Sequence, residues 1–207
     1  TNYMVWDVDK KILFIHIPKT GGTTIEDNME TMNKPLFKGG YGVLRKVVYQ
    51  HFDYKDYTKF FGIEMFNDFI KFSVVRNPYD RIISEYYWTP AVTNLGFKSG
   101  KSFDYFLNQL IDIVNNKKYN LTIYHNHFIP QYEFICDSNK QIMVDHLFKF
   151  EKFKKILKFL KKNKYNVDFK KKLNDCKNAH KIKLNKYQKK IIYKLYKKDF
   201  SIFKYEK

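Results

Sequence analysis

The sequence predicts an α/β domain built on a mainly parallel sheet flanked by helices, with a basic helical C-terminal part. Three observations carry that expectation. Short apolar, β-prone runs alternate with stretches of helical periodicity along the 207 residues. Two of those runs, Lys11–Ile17 and Phe69–Val75, each lead straight into a turn and a helix start. Nearly all of the excess positive charge falls after residue 148.

The elements follow in order. Lys11-Ile-Leu-Phe-Ile-His-Ile17 is a continuous apolar run ended by Pro18 and reads as a buried strand. Pro18-Lys-Thr-Gly-Gly22 cannot extend it and supplies a turn. Thr23 or Thr24 is placed to cap the next helix, and Thr23-Thr-Ile-Glu26 fits a capping box. That helix is expected to reach about Met32, ahead of Lys34-Pro35. Tyr49-Gln-His-Phe-Asp-Tyr54 reads as a strand end or loop. Phe69-Ile-Lys-Phe-Ser-Val-Val75 is the second buried strand, followed by Arg76-Asn77 and by Pro78 at a first helical position. Ile82, Ile83, Tyr86 and Tyr87 share one face of that helix. Phe103 to Val114 is expected to be an amphipathic helix, and Ile142 to Phe148 a strand. Phe150, Phe153, Ile156, Leu157 and Leu160 mark a basic amphipathic helix, and Lys189 to Phe203 a last one. Residues 1–207 are expected to form one domain, with 149–207 its basic helical portion.

Composition narrows the function classes. A hydrophobic fraction of 44%, with 19% aromatic, excludes disorder throughout, and 8 Gly with 5 Pro exclude a linker-dominated chain. No apolar run approaches the ~18 residues of a membrane span, and no N-terminal signal pattern is present. The chain opens on Thr1, so it is expected to be soluble unless an upstream anchor has been removed. Residues 1–148 hold 17 basic and 16 acidic side chains, a net of +1, while 149–207 hold 22 and 5, a net of +17. A block of that kind attracts an anionic polymer, nucleic acid or sulfated sugar, and equally describes a solvated lysine-rich face. No zinc-finger, helix-turn-helix or RNP signature occurs, so a basic nucleic-acid-binding module is the alternative rather than the first reading. Cys136 and Cys176 show no metal-ligand spacing and read as one disulfide or as two buried thiols. The sequon Asn120-Leu-Thr122 matters only in a secreted chain.

The chemistry concentrates in Pro18-Lys19-Thr20-Gly21-Gly22-Thr23-Thr24. Glycines let backbone N–H groups approach a phosphate, hydroxyls add donors, a helix N-terminus adds its dipole, and Lys19 adds a cation. The order differs from the nucleotide-hydrolase loop, in which lysine follows the glycines, and no acidic residue stands ready to hold magnesium at a second strand end. ATP- or GTP-driven phosphotransfer is therefore disfavoured. Arg76 closes the second strand, where open α/β sheets bind ligands, and Ser84 follows eight residues on. A guanidinium and a hydroxyl so placed suit a second phosphate.

These segments resemble a known family. Phe14-Ile-His-Ile-Pro-Lys-Thr-Gly-Gly-Thr-Thr-Ile25 is similar to the 5′-phosphosulfate loop of the Golgi-type carbohydrate sulfotransferases. Phe72-Ser-Val-Val-Arg-Asn-Pro-Tyr-Asp-Arg-Ile-Ile-Ser-Glu-Tyr-Tyr87 resembles their 3′-phosphate motif, V-R-[DN]-P-x-x-R-x-x-S-x-Y. Tyr196-Lys-Lys-Asp-Phe-Ser-Ile-Phe-Lys-Tyr205 resembles their closing Y-x-x-D-F-x-x-[FL]-x-Y segment, a weaker signal. The resemblance implies a three-layer, P-loop-like fold and transfer of a sulfuryl group from 3′-phosphoadenosine 5′-phosphosulfate (PAPS) to a sugar hydroxyl, without a metal. Lys19, Thr20, Gly21, Gly22, Thr23 and Thr24 would hold the 5′-phosphosulfate, and Arg76 and Ser84 the 3′-phosphate. It also implies a Golgi lumen location if an anchor preceded the chain.

Lys19 is the candidate for stabilising charge on the bridging oxygen, and His51 the candidate base, since imidazole titrates near neutrality. Gln50-His-Phe-Asp-Tyr54 resembles the histidine region of uronyl 2-O-sulfotransferase relatives. His127, in Tyr-His-Asn-His-Phe-Ile-Pro-Gln131, resembles a segment near the acceptor cleft and competes as base or substrate residue. Glu85 and Asp53 are candidate carboxylates, equally explained as exposed helix or turn residues, and His16 reads as a packed core residue. His125 lies in the same segment as His127, while His146 and His180 have no chemical context. Tyr87 and Trp88 are candidates for stacking on a sugar or adenine, and Lys181 or Lys183 for a phosphate. An acidic polysaccharide suits the basic arm as acceptor. A degenerate, inactive sulfotransferase fold serving as a binding protein is the remaining alternative.

Overall fold

A computed structural model of the chain describes residues 6–29, 43–44, 47–48, 51–92, 102–117, 125–168 and 182–207. It divides into two compact units, one of residues 1–75 and 131–174, the other of residues 76–130 and 175–207. The basic stretch from Lys149 to Lys207 is thus shared between both units. Cys176, His180, Lys181 and the Asn120 sequon lie outside the described residues. Among those described, no helix is long and apolar enough to cross a membrane.

The first unit carries a four-stranded sheet flanked by helices, as the alternation of periods predicts. Strand β1 (Trp6–Asp7) pairs antiparallel with β2 (Ile12–Ile15). A short antiparallel pair, β3 (Val43–Leu44) with β4 (Val47–Val48), stands apart. Strand β5 (Ile70–Val75) lies parallel to β2, with Phe14 opposite Phe72 and Ile15 opposite Ser73. Strand β6 (His146–Lys149) lies parallel to β5, giving the order β1-β2-β5-β6. The Ser73 hydroxyl donates to the Ile15 carbonyl at 2.7 Å, a buried cross-strand tie near the ends of β2 and β5. The predicted strand at 142–148 is shorter than its apolar run: Ile142 makes only an isolated bridge to Cys136, and the ladder begins at His146.

Helices α1 (Gly22–Asn28) and α6 (Phe153–Lys162) share a core with the sheet, in which Ile25, Met29, Ile156 and Leu160 meet Ile12, Phe14, Phe72 and Val74. Helix α2 (Tyr54–Phe61) joins β1 through an aromatic cluster, where the Trp6 ring lies 6.0, 5.1 and 5.8 Å from Tyr57, Phe61 and Phe66. Helix α5 (Gln131–Ile135) completes this unit's helices. Along α6 the lysines at 154, 155, 158, 161 and 162 are exposed while Ile156, Leu157 and Leu160 are buried, so the basic periodicity is a surface face over a packed one.

The second unit is helical: α3 (Pro78–Val92), α4 (Phe103–Asn115), α7 (Lys186–Leu195) and α8 (Lys197–Ile202). Its core takes Ile82 and Ile83 from α3, Phe106, Leu107 and Leu110 from α4, and Ile192 and Phe200 from the C-terminal helices. The single last helix expected over 189–203 is in fact two. The break falls at Tyr196, whose backbone leaves the helical region at φ −113° and ψ 25°. Its hydroxyl donates to the Phe128 carbonyl at 3.0 Å and its ring packs against the Arg81 guanidinium, 5.4 Å from the centroid. Tertiary anchoring overrides the continuous apolar pattern there.

Tyr196→Phe therefore leaves the Phe128 carbonyl without this donor in a buried position. It is expected to lower stability by about 1–2 kcal/mol, measured by chemical denaturation.

Candidate active site

The turn after β2 is built by two backbone constraints and one histidine. Lys19 has φ 65° and Gly21 φ 85°, both in the left-handed region. For a lysine that conformation costs on the order of 1 kcal/mol, and such outliers gather at functional loops. Gly21 is the N-cap of α1 and, having no side chain, leaves the capping position itself without a side-chain acceptor. A Cβ on Gly21 would also meet the Phe150 and Phe153 rings at 2.9 Å. A Cβ on Gly22 would lie 1.9 Å from Nε2 of His16. The Thr20 hydroxyl donates to the Ile17 carbonyl at 2.8 Å and is buried with Thr24, while Lys19, Gly21 and Thr23 stay half-exposed. The turn thus leaves Lys19, Gly21 and Thr23 partly accessible above a buried base.

The predicted capping box does not form. Helix α1 starts at Gly22, so Thr23 is already inside it and Gly21 is the cap. Oε1 of Glu26 lies 2.5 Å from Nδ1 of His16, with both residues buried. His16 is buried as the sequence suggests, but as half of a polar pair rather than as plain core. His51, in the loop before α2, packs edge-on against it, with centroids 4.5 Å apart at 72°. Nδ1 of His51 lies 3.1 Å from the His16 carbonyl. A carbonyl only accepts, so Nδ1 carries the proton, and in the neutral ring Nε2 is the basic nitrogen.

Asp53 is not an exposed turn residue. It caps α2, accepting from the Asp56 N–H at 2.7 Å, and burial pushes its carboxyl up to about 6. In the second unit Arg76 is half-buried and Ser84 is buried on α3. Glu85 is likewise not an exposed helix-face residue. It is 1% exposed and both of its oxygens lie 3.2 Å from Nδ1 of His127, itself 4% exposed. Trp88 stacks on the His127 ring at 4.3 Å and 17°, so its partner is a protein imidazole. Tyr87 belongs to the aromatic margin of this unit's core. His146 is exposed beside the Phe148 and Phe159 rings, and Lys183 is exposed. Two residues escaped the sequence reading. Glu26 looked like a capping residue, and only its reach back to His16 shows otherwise. Arg81, inside the second motif, is buried and donates from Nη2 to the Ile129 carbonyl at 2.8 Å.

A glycine turn leading from a parallel strand into a helix, beside a mostly parallel sheet, places the chain among the α/β proteins. The sequence matches the Sulfotransferase family over residues 2–206, and the chain belongs to that family. Its general chemistry is sulfuryl transfer. No curated protein matches the chain significantly.

Gly22→Ala forces its methyl into the His16 ring. It is expected to cost about 1–3 kcal/mol in denaturant unfolding. Gly62→Ala, at φ 83° with open space around it, carries backbone strain alone and serves as the control. For Asp53, the raised carboxyl stabilises the fold below the unfolded value of 3.8, and that contribution is lost as pH rises toward 6. The Tm of Asp53→Asn minus that of the parent should therefore increase between pH 4 and pH 7.

Proposed function

We propose that the protein transfers a sulfuryl group from PAPS to a hydroxyl of a carbohydrate. The observation that carries this reading is the Lys19–Thr24 turn, with its left-handed Lys19 and Gly21 leading from β2 into the start of α1. The resemblance of Phe72–Tyr87 to the 3′-phosphate motif supports the choice of a 3′-phosphorylated donor. When bound, PAPS supplies the sulfuryl group, which passes to the acceptor by in-line displacement.

The residues of the chain divide the remaining work. Lys19, Thr20, Gly21, Gly22, Thr23 and Thr24 hold the 5′-phosphosulfate end, and Arg76 and Ser84 hold the 3′-phosphate. The Lys19 ammonium offsets negative charge as it gathers on the bridging oxygen. His51 takes the acceptor proton at Nε2, because Nδ1 is committed to the His16 carbonyl. Positioning and electrostatics supply most of the rate, as in phosphoryl transfer. Glu85 and His127 belong to the acceptor side as a buried support rather than an exposed contact, since Trp88 and the fold enclose them. The exposed lysines of α6 favour an acidic polysaccharide as acceptor. A Golgi lumen setting accompanies such an acceptor.

Thermal-shift titration with 3′-phosphoadenosine 5′-phosphate (PAP) tests the donor. A rise in Tm that follows ligand concentration is expected, and none at millimolar ligand defeats the reading. Arg76→Ala should weaken PAP about tenfold or more while leaving adenosine 5′-phosphosulfate within about twofold. Transfer of labelled sulfate to a glycan panel tests the acceptor, and Lys19→Ala should cut that transfer about 100-fold.

A further inference from the structure

We infer that the buried Glu26–His16 pair is a positioning unit for the His51 imidazole. The inference deepens the proposed function and rests on the reading of His51 as base.

His16 is the first residue after β2, and its ring is held on every side that the first unit provides. Phe14 stacks on it at 5.4 Å and 18°. The Gly22 backbone lies against its Nε2 edge. Glu26, one helical turn beyond Gly22, grips Nδ1 at 2.5 Å. His51 packs against its face at 4.5 Å. The ring has no second rotamer open to it without breaking one of these contacts.

Packing alone does not account for the pair. Glu26 is 0% exposed and His16 4%. A buried carboxylate costs several kcal/mol, and apolar groups of the same volume often do as well or better. Under the proposed function a negative charge this close to the 5′-phosphosulfate end would repel the donor. A leucine at either position would fill the space without that cost.

What the pair supplies is direction. His16 holds His51 twice. Its carbonyl takes the Nδ1 proton, which selects the tautomer. Its ring packs edge-on against the imidazole and restricts its swing about that hydrogen bond. Glu26 makes the blocking ring immobile. A hydrogen bond to one ring nitrogen leaves the imidazole plane free to rotate, and the edge-on contact restricts that freedom. The second histidine and the acid therefore orient Nε2 without touching the reacting atoms.

The test compares Glu26→Gln, His51→Ala and the double variant, with His16→Phe/Glu26→Met as a version that keeps the volume and drops the buried polar pair. Glu26→Gln is expected to lower kcat about tenfold while the donor KM and the PAP Kd stay within about twofold. In the His51→Ala background it should change kcat by less than about twofold. In protein carrying ¹⁵N-histidine, His51 should show the Nδ1–H tautomer, and its ring signals should shift in Glu26→Gln and in the apolar double variant. Retained kcat, an equal tenfold loss without His51, a parallel loss of PAP affinity, or unmoved His51 signals would each overturn the inference. A parent protein that neither binds PAP nor transfers sulfate removes the proposed function instead, and the ¹⁵N signals then decide the positioning role by themselves.

Discussion

The close approach of the Gly22 backbone to the His16 imidazole governs the first unit. No side chain fits between them, since even a methyl would sit 1.9 Å from Nε2. That contact sets where α1 can begin. It brings the helix so near the end of β2 that Glu26 reaches His16, and it leaves the preceding residues only a tight left-handed path through Lys19 and Gly21. The turn therefore owes its shape to what lies beneath it. The Phe150 and Phe153 rings close the other side, so the loop is clamped rather than merely flexible, although glycines make it.

A clamped turn suits a reaction with little covalent chemistry for the protein to perform. Sulfuryl transfer, like phosphoryl transfer, gains most from dipoles and charges already in place before the substrate arrives. In the first unit the start of α1, the left-handed Lys19 backbone and the His51 ring all lie around His16 and the Gly21–Gly22 turn. Membership of the Sulfotransferase family over residues 2–206 accords with sulfuryl transfer as the general chemistry.

Much of this was legible in the chain. The two apolar runs became β2 and β5 because their β-prone, mostly apolar residues suit the buried middle of a sheet, β2 throughout and β5 from Phe72 to Val75. Pro78 began α3, and Ser102, which precedes the predicted helix, caps α4 through the Tyr105 N–H at 3.2 Å. What stayed illegible was decided by partners distant in sequence. Thr23 and Glu26 carry a capping-box spacing, yet Glu26 answers to His16, ten residues earlier. The apolar pattern through residues 189–203 gives no hint of the break at Tyr196, because its cause is a carbonyl 68 residues away. Glu85 suits a candidate carboxylate and an exposed helix position equally well by sequence, and its burial is decided by His127, 42 residues on. Local patterns name elements, whereas buried polar pairs are settled by the fold.

The two units are interleaved along the chain, and this bears on how the protein is made. Lys71 and Asp145, which tie β5 to β6 by backbone and side-chain hydrogen bonds, stand 74 residues apart. Strand β5 therefore leaves the ribosome long before its outer neighbour exists, with one row of amides and carbonyls open to any other extended segment. Residues 76–130 must be synthesised in the interval. The nascent chain passes through a stage in which a hydrophobic strand waits for its mate, the kind of delay that slows folding and calls for chaperone protection. For the same reason no single cut yields either unit whole.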